Sequence, residues 1–134
     1  MLSRLIIMLF ALLTSAGTHA ACSNADMTGE WVITKNGFYG GHTLCKIKFA
    51  NNKAKASTNN CTYNDDDGNS ATFGFKGSTR FTVNAACKIT IKAANNLGAV
   101  LTGEGYMSRD GNNMVGQVTN QNGVPMTING VKLK

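Results

Sequence analysis

Beyond an apolar stretch near its start, the 134-residue sequence has no long hydrophobic run, and it holds one proline, one tryptophan and two histidines. A helix crossing a bilayer needs roughly 20 consecutive apolar residues, so no transmembrane segment is expected. One histidine, His19, falls in the N-terminal leader discussed below, which leaves His42 as the sole imidazole for acid–base or nucleophilic chemistry. No Gly-x-Ser-x-Gly elbow occurs, and no acidic residue stands beside His42 to orient its ring. Neither a Cys-x-x-Cys nor a Cys-x-x-His pair is present, which removes the usual zinc spacings. The set needed for catalysis is therefore missing, and no enzyme, cofactor or metal is expected.

What the sequence does contain begins with an address. Met1-Leu2-Ser3-Arg4 is basic, Leu5 to Leu13 is apolar, and Thr18-His19-Ala20 ends in small residues. These are the three zones of a secretory signal peptide, with cleavage expected after Ala20 and a single domain over residues 21–134. His19 stands where a lipid-attachment signal ahead of Cys22 would place a Leu-like residue, so a lipid anchor is not favoured. Arg4 leaves with the leader, and the remainder carries twelve Lys and Arg against seven Asp and Glu, a net charge of +5. An exported, periplasmic or extracellular protein meets little nucleic acid, so the basic balance points to anionic lipids, glycans or acidic proteins. Cys22, Cys45, Cys61 and Cys87 all follow the leader, and an even count in an oxidising compartment reads as two disulfides. Of the three possible pairings, Cys45–Cys61 within one hairpin is preferred, leaving Cys22 to tie the N-terminal arm to Cys87.

Gly and Asn recur every few residues, and the stretches between them alternate apolar and polar with period two. The strands this predicts are 29–35, 43–50, 53–63, 70–76, 79–84, 87–93, 99–108, 113–120 and 126–133. Asn36-Gly37, Asn51-Asn52, Asp67-Gly68, Asn95-Asn96, Asp110-Gly111 and Asn122-Gly123 supply the turns. In Cys45-Lys46-Ile47-Lys48-Phe49 the apolar residues share one face and the lysines the other, and a similar phrase returns at Cys87-Lys88-Ile89-Thr90-Ile91-Lys92. The fold class is all-β: an antiparallel meander of about eight strands, closed as a small disulfide-stapled up-and-down barrel so that no long edge is left open. Ile, Val, Leu and Phe at the inward positions predict a filled interior.

Thr28-Gly29-Glu30-Trp31, opening the first strand, resembles the Gly-x-Trp start of lipocalin- and avidin-like barrels, and also bacterial periplasmic protease inhibitors on a similar eight-stranded barrel. The segment from Met107 to Gly116 is similar to a late hairpin of small secreted bacterial proteins of unassigned role. These resemblances imply the barrel; the first also implies hydrolase inhibition as an alternative function.

Two sets of candidate binding residues follow. Phe38, Tyr39 and His42 lie in a glycine-rich loop between the first two strands, where aromatics at a barrel mouth meet a ligand or partner. Lys46, Lys48, Lys53, Lys55, Lys88 and Lys92 fall on outward positions and form a basic face if their strands are neighbours. The duller role of such lysines is to blunt exposed strand edges. Tyr63 to Asn69 is dense in acids, but an EF-hand loop with Gly68 at its turn would begin on Tyr63 and close on Gly74, so the calcium pattern fails. Asn60-Cys61-Thr62 is a glycosylation sequon whose central cysteine is expected to be bonded. The expectation is a monomeric, non-enzymatic binding protein that engages a macromolecule or anionic surface, with an inhibitor of an envelope or host hydrolase as the alternative and a His42-dependent hydrolase ranked below both.

Overall fold

The computed structural model describes residues 21–37 and 41–134. Ten strand segments form one antiparallel sheet: β1 (Gly29–Gly37), β2 (His42–Ala50), β3 (Lys53–Ala54), β4 (Asn60–Asn64), β5 (Ser70–Phe73), β6 (Arg80–Val83), β7 (Lys88–Ala94), β8 (Val100–Met107), β9 (Asn113–Asn120) and β10 (Pro125–Lys132). β2 pairs with both β3 and β4, β3 with β6, β4 with β5, β6 to β10 pair in sequence order, and β1 pairs with both β2 and β10, so the meander closes on itself. β3 with β4, and β5 with β6, are two halves of single staves, which makes an eight-stave barrel. Five of the six predicted turns close in place, with Asn51, Gly68, Gly98, Gly111 and Gly123 at positive φ; the expected turn at Asn36-Gly37 is corrected, because both residues extend β1 and pair with Thr127 and Met126 of β10.

The expected strand at 53–63 is corrected to two segments. A short 3₁₀ turn, Ala56–Thr58, lifts the chain out of the sheet, and Asn59 closes the break. Its side-chain amide donates to the Lys55 and Phe75 carbonyls at 3.0 Å each, and its Oδ1 accepts from the Phe75 amide at 2.6 Å. Alternation of side chains cannot reveal this, because a polar side chain stands in for backbone. The expected strand at 70–76 likewise ends at Phe73; Gly74 to Lys76 instead bonds to the end of β7. The remaining predicted boundaries agree to within two residues.

Inward residues fill the barrel. Trp31, Ile33, Ile47, Phe49, Phe81, Ile89, Ile91, Met114, Val118 and Ile128 are buried and pack as one cluster. An eight-stave barrel is just wide enough for its own side chains to occupy the lumen. Gly103, Gly105 and Gly116 also sit at buried or half-buried positions of β8 and β9. A Cβ on any of them would collide with the facing backbone, so these glycines let the two staves fold tightly against each other.

One end of the barrel is plugged by a 3₁₀ turn, Asn24–Met27, whose Met27 is fully buried. Trp31 donates from its indole nitrogen to the Met27 carbonyl at 2.9 Å. The Lys132 ammonium lies over the Trp31 ring, 5.2 Å from its centroid, and also donates to the Asp26 carbonyl. Both expected disulfides form, Cys22–Cys87 beside this plug and Cys45–Cys61 across β2 and β4.

Candidate functional site

Because the faces alternate, the outer surface of β2, β3, β6 and β7 is set by every second residue. Register pairs Lys53 with Arg80, and Arg80 with Lys92, so three cations stand in one row across three strands. Beside them the Lys55 amide donates to the Lys48 carbonyl at 2.8 Å, placing these two lysines opposite each other. Arg80 is held in place: its guanidinium donates to the Gly77 and Thr79 carbonyls at 2.7 and 3.1 Å. It was missed at the sequence level, although the alternation Arg80-Phe81-Thr82-Val83 marks it as outward.

Two of the six predicted lysines leave this set. Lys46 pairs with Glu30 at 2.5 Å, and Lys88 with Glu104 at 2.7 Å. The hydrogen bond that the Lys88 ammonium donates to the Glu104 carboxylate holds it above its usual range. Among the described residues these are the only ion pairs. Lys48, Lys53, Lys55, Arg80 and Lys92 thus lie on the outer face with none of them in an ion pair among the described residues, although Glu30 stands opposite Lys48 in the β1–β2 register. Like charges directly opposite in a sheet oppose pairing, so the row is held at some expense of stability.

Of the loop residues, Phe38 and Tyr39 lie outside the described residues. His42 begins β2 between Asn36 and Asn64 and is exposed on the outer side of the barrel, since its neighbour Thr43 points inward. Below it a cavity of about 50 Å³ is lined by Lys35, Thr43, Phe73, Phe75 and Leu101. Thr43 is 2% exposed and its hydroxyl has no hydrogen-bond partner among the described residues. Burial lowers the Lys35 ammonium from its ordinary value. In the acidic hairpin tip, Asp65 turns its carboxylate back onto the Asn69 amide and side chain at 2.8 and 2.9 Å. Those hydrogen bonds hold its carboxyl below the usual range. Among the described residues no three His, Cys, Asp or Glu side chains converge as a metal site. No described helix is long and apolar enough to cross a membrane.

No family model and no curated protein matches the chain. Solved structures do. A de novo designed fluorescence-activating β-barrel aligns with a TM-score of 0.58 at 10% identity, covering 84% of this chain and 100% of the other. A redesigned β-barrel reaches 0.61 at 9% identity, covering 84% and 96%. A redesigned barrel bound to DFHBI gives 0.57 at 11%, covering 83% and 98%. At such identities the likeness is one of fold alone. The barrel implied by the Gly-x-Trp start is present, and no lipocalin or avidin family match accompanies it.

Proposed function

We propose that this is a non-enzymatic, exported binding protein that engages an anionic macromolecule or surface through the outer face of β2, β3, β6 and β7. The observation that carries the reading is the row Lys53–Arg80–Lys92, with Lys48 and Lys55 beside it and none of the five in an ion pair among the described residues. Edge protection does not account for these cations, because each row member has a paired strand on both sides. Clustered cations that repel one another are stabilised by phosphate, sulfate or carboxylate groups on a partner. Binding of a drug-sized small molecule inside the barrel is a poorer fit here. The lumen is filled by side chains, and its cavity of about 50 Å³ is room for a few atoms. Two disulfides support an oxidising, exported setting.

The test is retention on a sulfated polysaccharide and on vesicles of anionic phospholipid, each measured at rising salt. Binding should fall steeply between low and physiological ionic strength. Lys53→Glu with Lys92→Glu, which leaves Arg80 and its backbone contacts in place, should weaken binding by about tenfold or more. Unchanged binding by that double variant on both probes would overturn the reading.

A further inference from the structure

Among the described residues three polar side chains are buried, Thr43, Thr79 and Asn95, and two of them have partners. The Thr79 hydroxyl donates to the Ala94 carbonyl at 3.2 Å and accepts from the Ala94 amide at 3.1 Å. Asn95 accepts through its Oδ1 from the Leu97 and Ala99 amides at 3.0 and 2.8 Å. Thr43 is different: only 2% exposed, its hydroxyl bonds to nothing among the described residues. A hydroxyl taken out of water without a partner costs stability, and packing alone does not call for one, since valine has the same shape.

What surrounds that hydroxyl points to a ligand. Lys35 stands directly opposite Thr43 in the β1–β2 register, and both line the cavity of about 50 Å³ at the end of the lumen away from the Met27 plug. The rest of the wall is mostly apolar, with Phe73, Phe75, Phe81, Leu101 and Ile128. Lys35 also borders the groove at the barrel mouth, beside Gly41 and Tyr63, which gives a small solute a way in. No acidic side chain lines either space. Burial lowers the Lys35 ammonium from its ordinary value, as expected of a cation with no anion at hand. An apolar pocket with a few convergent polar groups is the usual form of a small-molecule site.

We propose that this end of the lumen binds a short-chain monocarboxylic acid, its carboxylate held by the Lys35 ammonium and the Thr43 hydroxyl and its aliphatic tail by the apolar wall below. One cation and one hydroxyl match a single negative charge, whereas a phosphate or sulfate dianion needs more donors than these. The aromatic and aliphatic wall favours an organic anion over a halide. With no carboxylate to meet an amine, an amino acid is excluded. The cavity sets the length: about 50 Å³ admits a tail of a few carbons and no more. The site is independent of the basic face, since none of Lys48, Lys53, Lys55, Arg80 and Lys92 lines it.

Isothermal titration of the oxidised protein with sodium butyrate, at an ionic strength held constant with sodium chloride, is the test. The expected result is saturable binding at one site. Butyramide, of the same size without the charge, should bind about tenfold more weakly or worse, and octanoate no more tightly than butyrate. Thr43→Val and Lys35→Met should each weaken butyrate binding by about tenfold or more. Both remove a polar group that is unpartnered in the free protein, so their thermal midpoints should equal or exceed the parent's, which separates lost binding from lost folding. Lys53→Glu with Lys92→Glu should bind butyrate as the parent does, so this site and the basic face fail or hold separately. Absence of saturable binding would overturn the proposal. So would butyramide binding as well as butyrate, octanoate binding more tightly, parent affinity in either cavity variant, or loss of butyrate binding in the double variant of the basic face.

Discussion

Lys35 shows how one residue can be at odds with the element that carries it. It follows Trp31 and Ile33 on the inward face of β1, so its stem lies along the upper lumen, next to the cavity that Thr43 and Leu101 also line. No carboxylate lines that cavity, and burial alone holds the ammonium below its ordinary value of 10.5. A cation whose folded-state value is depressed subtracts from stability while it is charged in both states. That cost is fully present at neutral pH and is relieved as pH rises through the folded-state value toward 10.5, where the folded chain has lost a proton that the unfolded chain keeps. Lys35→Met, of similar length and apolar, should therefore be more stable than the parent at pH 7, with the advantage shrinking toward pH 10.5. Urea denaturation of both proteins across that range checks it. A constant difference between the two proteins would show that the ammonium is not the source.

Among the elements, the broken stave formed by β3 and β4 rests on a single side chain. Asn59 makes three hydrogen bonds across the break, two of them to Phe75 in the facing stave. Asn59→Ala leaves the Phe75 amide and carbonyl unpartnered in a half-buried position, at a cost of about 2–3 kcal/mol. Guanidinium denaturation should show that loss with little change in the slope, since the surface exposed on unfolding is nearly the same. The fold was legible in the sequence wherever a signal is local. Period-two alternation set the faces of β2 and β7, turn residues set the hairpins, and the two cysteines of one hairpin found each other across β2 and β4. What was not legible depends on partners distant in sequence. Asn59 works through Phe75, and Lys132 stacks on Trp31 from the far end of the chain. Arg80 joins the basic face only because β3 and β7 are both its neighbours. The lysine face itself was legible as outward positions, but not which lysines would be neutralised, because that depends on hairpin register: Glu30 stands opposite Lys48 yet pairs diagonally with Lys46, and Glu104 stands opposite Thr90 yet pairs diagonally with Lys88.

At the scale of the whole molecule the two disulfides have different tasks. Cys45–Cys61 spans 16 residues and joins directly paired residues of adjacent strands, so it reinforces a contact that hydrogen bonds already make. Cys22–Cys87 spans 65 residues and fixes an arm that belongs to no strand. Chain-entropy reasoning assigns the longer loop about 4 kcal/mol and the shorter about 3 kcal/mol. The more telling difference is local. Apart from its bridge, the arm is held by Met27 in the core, by the contacts of Trp31 and Lys132, and by Asn24 accepting from the Val83 amide at 2.8 Å. Those contacts close the end of the barrel over Trp31, the only tryptophan in the chain. With Cys22→Ala and Cys87→Ala together, the plug can detach while the staves stay paired. Quenching of Trp31 fluorescence by acrylamide should then rise well before the strand signal in circular dichroism is lost on heating. With Cys45→Ala and Cys61→Ala the plug stays tied, so quenching and loss of strand signal should coincide at a lower midpoint than in the parent. If quenching and unfolding also coincide in the Cys22 variant, the plug is an integral part of the cooperative barrel, and its covalent tether adds stability to the whole rather than guarding one end.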